Sequence, residues 1–384
     1  MTNSPMHIIF PGKLMVGNGS FAQLPGELLQ WQPRKVLLAT IEPLLANIQP
    51  LKAALEAAQV EVLINTAIVA EPSFADFHHI MQEAAAFAPD VVVGIGGGSV
   101  LDIAKLIAAQ LDNPQTLQEY VGIGLLKDRS KKLVCVPATA GTGSEVSPNA
   151  ILVDDTDNQK KGIISPYLVP DPVCVDALLT VSVPPAITAA TGMDALTHCL
   201  EAYTNKFAQP FIDMFALKGI QLIAANIEAA VKDGSDLDAR EKVALGSLYG
   251  GFCLGPVNTA AVHALSYPLG SMYHLPHGLS NALLLPYVME YNLVAAPHRY
   301  AQVAVALGCD ALADNIATAK WGVKKIKALN KACGIPATLQ EVGVTKESIP
   351  QMAAEAMKIQ RLLKNNPRNV TEADAIDIFT NAFA

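Results

Sequence analysis

The chain has 384 residues, which is long enough for two domains, and its content of 51% hydrophobic and 16% charged residues predicts a globular protein. The net charge is −8, and no block of Lys or Arg forms a basic stripe, so nucleic acid and anionic membranes are poor partners. The start Met1–Met6 lacks the basic and apolar runs of a secretory signal, and no uninterrupted apolar segment reaches membrane-spanning length.

The first half alternates between helix-like and strand-like segments. Apolar runs at 7–10 and 14–17 flank Pro11-Gly12 and predict a hairpin. The segments that follow are a helix over 20–30, a strand over 35–39, a helix over 44–58, a strand over 60–64, a helix over 74–87 and a strand over 91–93. Apolar strands separated by helices predict a parallel sheet covered on both faces, as in nucleotide-binding domains.

The second half has a different hydrophobic pattern. After a strand over 132–136, apolar runs at 150–153 and 161–164 flank the polar stretch 154–158 and predict a second hairpin. Long amphipathic segments then follow one another, at 185–203, 211–231, 239–254, 260–272 and 279–295, without a convincing strand. We therefore expect an α/β domain over residues 1–180 and an all-helical domain over residues 181–384.

The six cysteines form no Cys-x-x-Cys pair and no closely spaced framework. They are expected to be buried thiols in a reducing compartment, where a ferrous ion also survives. We therefore expect a cytoplasmic protein.

A glycine-rich loop follows the strand at 91–93. Its glycines are Gly94, Gly96, Gly97 and Gly98, and Ser99 is the predicted N-cap of a helix that extends to about residue 110. Such a loop lets the backbone approach a pyrophosphate at the positive end of a helix, although it can also serve only to pack that helix closely. A second loop of small residues, 137–145, follows another strand, and two such loops predict a ligand crevice at the strand ends.

One acid and three histidines form a candidate metal site. Asp194 and His198 are four residues apart in a helical segment, so both side chains leave one face of the helix. His263 and His277 lie in apolar segments, where a lone charged imidazole is costly. Each histidine could instead be a hydrogen-bonded core residue, and Asp194 could merely favour the first turn of its helix.

Together these blocks resemble the iron-containing (group III) alcohol dehydrogenases. The resemblance rests on Gly96–Ser99 with Asp102, on 137–145, on 192–198, on His263 and on 276–278, in the family's order along nearly the whole chain. It implies a dehydroquinate-synthase-like fold, with a Rossmann-like N-terminal domain, a helical C-terminal domain and the metal in the cleft between them. It also implies a homodimer or larger homo-oligomer.

The resemblance implies roles for individual residues. The implied metal ligands are Asp194, His198, His263 and His277, and the implied cofactor contacts are Gly96, Gly97, Gly98, Ser99, Asp102, Thr139, Thr142 and Lys161. Three imidazoles and one carboxylate suit Fe²⁺, with Zn²⁺ as the alternative. The metal is then expected to polarise an aldehyde carbonyl while a reduced nicotinamide delivers hydride.

Two positions depart from the family pattern. Many relatives have a histidine near the substrate where this chain has Tyr267, so proton delivery is expected to involve Tyr267 and water, or else His274. NAD-preferring relatives often carry an Asp where this chain has Ile41, beside Glu42, which leaves both NAD and NADP open.

Three functions are therefore considered. The first is a metal-dependent alcohol dehydrogenase that acts as a reductase of a small aldehyde. The second is a lyase of the dehydroquinate synthase type, disfavoured because the helical half has few basic residues near the ligands to bind a polyanionic sugar acid. The third is a protein that has lost catalysis, disfavoured because no metal ligand is missing. The substrate's chain length, a second hydroxyl and an acidic tail all remain open.

Overall fold

The computed structural model describes residues 6–157 and 159–384. Most of the start Met1–Met6, and Asn158 in the predicted turn 154–158, therefore lie outside the described residues. The chain forms two compact units. One comprises Ile8–Thr139 and Gly143–Val181, and the other contains Ala140–Thr142 and Ser182–Ala384.

The first unit is built on a six-stranded sheet in which every strand pair is parallel, in the order β1-β9-β6-β4-β2-β3. A smaller sheet has the order β5-β8-β7. The strands are β1 Lys13–Val16, β2 Lys35–Ala39, β3 Glu61–Asn65, β4 Val91–Gly96, β5 Gly122–Ile123, β6 Lys132–Pro137, β7 Asn149–Asp154, β8 Gln159–Ile164 and β9 Pro172–Val175, and the helices are α1 Leu24–Leu29, α2 Leu45–Ala57, α3 Phe74–Phe87 and α4 Gly98–Gln110.

Alternate residues of the central strands fill two separate cores. Leu37 and Val92 face one core with residues of α3 and α4, whereas Val36 and Val91 face the other with residues of α1 and α2. Side chains of a strand alternate between its faces, so a strand that is apolar throughout must be covered on both sides. The predicted parallel sheet with two covered faces is confirmed.

One of the two predicted hairpins is wrong. β1 pairs in parallel with β9, and no described residue before Lys13 belongs to a strand. The backbone N–H of Lys13 donates to the carbonyl of Asp171 at 3.0 Å, and a Cβ on Gly12 would lie only 2.9 Å from the same oxygen. The Pro11-Gly12 pair therefore leads the chain to the edge of the sheet. The second hairpin is confirmed, because β7 and β8 are antiparallel.

The second unit is helical, with no strand among the described residues beyond Val175. Its helices are α5 Pro185–Thr204, α6 Pro210–Lys232, α7 Leu237–Leu254, α8 Ala261–Tyr273, α9 His277–Asn292, α10 Pro297–Ala306, α11 Asn315–Ala332, α12 Ile349–Met357, α13 Gln360–Leu363 and α14 Glu372–Phe383. The five helices predicted between residues 185 and 295 are confirmed as α5 to α9.

The helix α6 is the one helix of the described chain that is long and apolar enough to cross a membrane. Ile212, Ile220 and Ile227 of this helix are fully buried among the other helices of the unit. A core helix passes the same test of length and composition, so α6 is weak support for a membrane span. The six cysteines are buried and form no disulfide, as predicted.

Candidate metal and cofactor sites

Three helices of the second unit bring together the acid and the histidines. α5 is buried on almost all sides, and it presents Asp194 and His198 one turn apart. His263 lies in the first turn of α8, and His277 is the first residue of α9. Gly278 lets α9 approach α5, because a Cβ at this position would lie 2.4 Å from the carbonyl oxygen of Ala190.

The three histidines surround Oδ1 of Asp194, and ligand atoms of Asp194, His263 and His277 lie within 4.8 Å of one another. Asp194 Oδ1 lies 3.8 Å from Nε2 of His198, 3.6 Å from Nε2 of His263 and 3.9 Å from Nε2 of His277. The rings of His198 and His263 stack with their centroids 4.8 Å apart. Ligand atoms about 2.1 Å from a tetrahedral metal are separated by about 3.4 Å, so the observed separations are close to those of a metal site.

A buried amide lies against the acid and two of the histidines. The side-chain nitrogen of the fully buried Asn281 lies 2.6 Å from Asp194 Oδ1, 3.1 Å from His263 Nε2 and 3.2 Å from His277 Nε2. Its two N–H groups cannot satisfy all the acceptor lone pairs that face it. One carboxylate and three imidazoles are ligands that divalent metals take in proteins, so the residues present fit a divalent metal.

The outer nitrogens of two histidines are held by the protein. Nδ1 of His263 donates to Glu201 Oε2 at 2.6 Å, and Nδ1 of His198 lies 3.3 Å from the carbonyl oxygen of Gly141. A histidine whose Nδ1–H is bound in this way presents its Nε2 lone pair to a metal. Glu201 also accepts the backbone N–H of Val262 at 2.6 Å, so it stabilises the first turn of α8.

Burial and charge act against each other at these groups. Burial by itself would raise the pKa of Asp194, but His198 and the other imidazoles around it hold the pKa below its ordinary value. Burial lowers the pKa of His198. Burial would also lower the pKa of His263, but Glu201 and Asp194 raise it to about 10. Without a metal, His263 is therefore the group of the cluster that holds a proton.

His277 is the most exposed of the four candidate ligands. The side chains of Asp194, His198 and His263 are 4%, 6% and 5% exposed, whereas that of His277 is 30% exposed. The half-buried ring of Tyr267 lies beside His277, with the centroids 6.1 Å apart. A small molecule must therefore reach the cluster past His277 and Tyr267.

His274, the second predicted proton donor, has a different position from Tyr267. It is exposed and forms the C-cap of α8 in a left-handed backbone conformation, with φ 54°. In the described part of the chain, none of the hydrogen bonds or ring contacts of the cluster involves it. Its geometry favours the capping role over the catalytic one.

The glycines of the glycine-rich loop in the first unit have two different structural roles. A Cβ on Gly94 would lie 2.6 Å from Ala104 Cβ, and one on Gly96 would lie 2.6 Å from Val100 Cγ2, so these glycines let α4 pack on β4. A Cβ on Gly97 would be 3.5 Å from its nearest neighbour, Thr139 Oγ1. Gly97 is therefore not required for packing and leaves room for a ligand at the start of α4.

Ser99 is not the N-cap of this helix, contrary to prediction. α4 begins at Gly98, and its N-cap is Gly97, which makes no side-chain capping bond. Ser99 lies in the first turn, where its hydroxyl accepts the backbone N–H of Glu71 at 3.3 Å. The helix therefore begins two residues earlier than the pattern predicted.

We expect alanine at Gly96 and at Gly97 to have different effects. Gly96→Ala forces Cβ against Val100 and should lower the free energy of unfolding by about 1–3 kcal/mol. Gly97→Ala should leave the unfolding transition nearly unchanged. It should raise the KM for the nicotinamide cofactor by about tenfold or more, because a loss of about 1.4 kcal/mol of binding free energy lowers affinity tenfold. Thermal unfolding and cofactor titration of both variants check this. Equal destabilisation would contradict it.

Asp102 is held in a buried network. Its carboxylate accepts Ser144 Oγ at 2.5 Å and the backbone N–H of Ile151 at 2.9 Å. The fully buried Lys105, which the sequence patterns did not single out, donates to Ser144 Oγ at 2.9 Å and to two backbone carbonyls. Burial raises the pKa of Asp102 and lowers that of Lys105. The network ties α4 to the loop at 137–145, so Asp102 serves the shape of this region.

The other predicted cofactor residues lie at different places. Thr139 follows β6 and lies beside Gly97, and Thr142 lies in the same loop as Thr139. Ile41 is half-buried just after β2, whose end pairs with β4. Lys161 of β8 pairs with Asp157 within the β7–β8 hairpin. Thr139 and Ile41 therefore lie at the carboxyl ends of β6 and β2, which flank β4, whereas Lys161 is engaged by an acid of its own hairpin.

Comparison with known proteins identifies the family. Residues 11–177 match the family described as iron-containing alcohol dehydrogenase, and residues 188–383 match the C-terminal part of the Fe-containing alcohol dehydrogenase family. Long-chain-alcohol dehydrogenase 1 of Geobacillus thermodenitrificans is 36% identical, with 99% of this chain and 98% of that protein covered. Sulfoacetaldehyde reductase of Bilophila wadsworthia is 34% identical, with 93% of each covered.

Solved structures agree. The crystal structure of 1,3-propanediol oxidoreductase has a TM-score of 0.95 and 33% identity, and covers 99% of this chain and 100% of its own. Sulfoacetaldehyde reductase from Bifidobacterium kashiwanohense, solved with NAD⁺, has a TM-score of 0.88 and 26% identity, with 99% of each chain covered. The predicted dehydroquinate-synthase-like fold and the predicted oxidoreductase activity are thereby confirmed. The chain belongs to the iron-containing alcohol dehydrogenase family.

Proposed function

We propose that Asp194, His198, His263 and His277 bind one Fe²⁺ ion, and that the enzyme reduces a small aldehyde to its alcohol with a nicotinamide cofactor. The observation that carries the proposal is that ligand atoms of Asp194, His263 and His277 lie within 4.8 Å of one another, with Nε2 of His198 3.8 Å from Asp194 Oδ1. Zn²⁺ suits the same ligands and is the alternative metal.

When bound, the metal supplies a Lewis acid for the carbonyl oxygen and the reduced nicotinamide supplies a hydride. The protein contributes position and exclusion of water. Asp194, His198 and His263 close the buried side of the site, so a substrate is confined to the side of His277 and Tyr267. Low exposure also strengthens electrostatic interactions within the site, because water screens them less.

Tyr267 is the proposed proton donor to the oxygen of the product. Its hydroxyl oxygen accepts a hydrogen bond from Arg361 Nη2 at 2.9 Å, which leaves its own hydrogen free to be donated to a ligand. Its ring contacts the exposed ligand His277, so the phenol lies on the open side of the cluster. His274 is the weaker candidate because it is an exposed capping residue.

The cofactor is proposed to lie at the carboxyl ends of β2, β4 and β6. Ile41 follows β2, and Thr139 follows β6. The glycine-rich loop at the end of β4 contributes Gly96, Gly97, Gly98 and Ser99. Thr142, Asp102 and Lys161 complete the proposed set, with Asp102 acting through its buried network. NAD is favoured because a relative's structure contains NAD⁺. NADP stays open because Ile41 offers no carboxylate to repel a 2′-phosphate.

The substrate is proposed to be a small alcohol or aldehyde. The named relatives act on long-chain alcohols, sulfoacetaldehyde and 1,3-propanediol, so the family adapts one site to different tails. All are dehydrogenases or reductases, which gives the lyase hypothesis no support. We further propose that the enzyme is cytoplasmic and forms a homodimer or larger homo-oligomer, with no nucleic acid or membrane partner.

Anaerobic assay tests this function. The protein is stripped with a chelator, reloaded with Fe²⁺ and mixed with NADH or NADPH and a panel of short aldehydes, while the loss of reduced nucleotide is followed. We expect one of the two nucleotides to be oxidised, and this oxidation should stop when chelator is added. The rate should fall in Tyr267→Phe. Tyr267→His keeps a proton donor and should be more active than Tyr267→Phe. If neither NADH nor NADPH is oxidised with any of the aldehydes, the proposal is overturned.

Metal affinity should depend steeply on pH. The carboxylates of Glu201 and Asp194 raise the pKa of His263 to about 10, so a metal must displace its proton at neutral pH. Affinity should therefore rise by about tenfold per pH unit for each proton released. Competition for Zn²⁺ with a chromophoric chelator, between about pH 6 and 8, measures this slope. An affinity independent of pH, after correction for the chelator, would contradict it.

A further inference from the structure

Arg361 of α13 stands next to the open side of the metal cluster. Its guanidinium donates from Nη2 to the hydroxyl of Tyr267 at 2.9 Å, and the ring of Tyr267 lies 6.1 Å from that of His277. The guanidinium carbon is 5.9 Å from the centroid of Tyr267, which together with the hydrogen bond puts it at the hydroxyl end of the ring. His277, Tyr267 and Arg361 therefore form a row that leads away from the cluster.

This row lies on the side from which a substrate must approach. The other three proposed ligands are nearly inaccessible, whereas His277 is 30% exposed, Tyr267 is half-buried and Arg361 is exposed. A small molecule whose carbonyl oxygen is at the cluster can therefore extend past His277 along Tyr267 towards Arg361.

The guanidinium of Arg361 has free binding capacity. Arg129 and Arg299 each pair with an aspartate at 2.7 Å, but no carboxylate of the described chain lies within 4.0 Å of Arg361. A guanidinium has five N–H donors, and the phenol of Tyr267 accepts only one of them. In a chain with a net charge of −8, an accessible arginine without an acid is suited to an anion from outside.

We propose that Arg361 binds the anionic tail of the substrate, so that the enzyme prefers short aldehydes that carry a carboxylate, sulfonate or phosphonate group. This inference rests on the proposed function. The planar fork of arginine donates two parallel hydrogen bonds to such groups, and its hydrogen bond to Tyr267 fixes the fork. A substrate whose tail is bound by Arg361 has its aldehyde group beside Tyr267 and the metal ligands.

A phosphate of the nicotinamide cofactor offers the same oxyanion chemistry. An experiment can distinguish these two anions. The cofactor takes part in the reduction of every substrate, whereas only anionic substrates carry the charged tail. An arginine that binds the cofactor would change the KM for reduced nucleotide with any aldehyde. An arginine that binds the tail changes the ratio between charged and neutral substrates.

The test compares 4-oxobutanoate with its neutral amide, 4-oxobutanamide, and glyoxylate with glyoxylamide, on the metal-loaded enzyme. We expect kcat/KM to be higher for at least one anion than for its amide. Arg361→Met should reduce this anion-to-amide ratio by about tenfold or more, mainly through the KM for the anion. Arg361→Lys, which keeps the charge but loses the fork, should give an intermediate ratio.

Lys364→Met is the matched control, since it removes one exposed positive charge from the same segment and should leave the ratio unchanged. An equal loss for anion and amide in Arg361→Met would mean that Arg361 only orients Tyr267, and would overturn the inference. A raised KM for reduced nucleotide would overturn it in favour of cofactor binding. Reduction of the amides without preference for the anions would overturn it while the proposed function stands, whereas no reduction of any aldehyde would refute the proposed function.

Discussion

Asp194→Asn is expected to abolish tight metal binding and to lower kcat/KM for aldehyde reduction on the order of a thousandfold. Asp194 Oδ1 lies within 3.9 Å of Nε2 of all three histidines, so it is the atom shared by the whole cluster. Asparagine has nearly the same shape, but it removes the one negative charge among the four proposed ligands. Metal content after dialysis and steady-state kinetics measure the two losses.

The matched control is Asp176→Asn in the other unit. Asp176 is also buried, and its carboxylate accepts backbone N–H groups of Phe21 and Leu178. This variant should lose stability but keep the metal. Retention of metal and activity by Asp194→Asn would show that the acid is only a core residue near the start of its helix.

Glu201→Gln is expected to weaken metal binding by about 10–100-fold without removing any ligand atom. Glu201 accepts two hydrogen bonds at once, from Nδ1 of His263 and from the backbone N–H of Val262. Glutamine has one acceptor oxygen, so its amide must oppose one of these donors. If the amide faces His263, the ring can accept that bond only as the tautomer whose Nε2 carries the hydrogen, which removes the metal-binding lone pair.

Competition for Zn²⁺ and the visible spectrum of the Co²⁺-loaded protein measure this effect. Glu201→Asp keeps the charge and both acceptor oxygens, so it should recover part of the affinity that glutamine loses. The metal-free Glu201→Gln protein should also unfold with about 1–3 kcal/mol less free energy, because a buried donor is left unsatisfied. Unchanged Zn²⁺ affinity in Glu201→Gln would refute the positioning role of this residue.

The sequence patterns predicted most of the elements because hydrophobic periodicity reports burial. Strands that are apolar throughout, such as β4, became central strands, and long amphipathic segments became helices α5 to α9. The error at residues 7–17 has a physical cause. Two apolar runs about a Pro-Gly pair resemble a hairpin locally, but β1 pairs with β9, which is far away in the sequence.

The candidate site was predictable where spacing or an apolar context marks a residue. Glu201 carries such a signal, since it lies three residues after His198 and seven after Asp194, on the same face of α5. Asn281, four residues after His277, carries the same signal, but amides are common in helices and do not stand out. Lys105 was not predictable as a buried cation, because its partners come from a loop about 40 residues later.

Arg361 illustrates a further limit. It is one of many charged residues in the last third of the chain, and nothing in its immediate sequence relates it to Tyr267, which is 94 positions away. Only the packing of α13 near α8 brings the two side chains together. Residues that contact a substrate from separate elements are therefore the part of a site that sequence patterns reveal least.

The most direct test of the account is a titration of metal-free enzyme with Fe²⁺ under anaerobic conditions, with the rate of nicotinamide oxidation by a short aldehyde as the readout. We expect a rate that rises linearly to one equivalent of metal per chain and then stays constant, and no rise in Asp194→Asn. A full rate before metal is added, or an equal rise in Asp194→Asn, would contradict the claim that these four side chains hold the metal that the reaction needs.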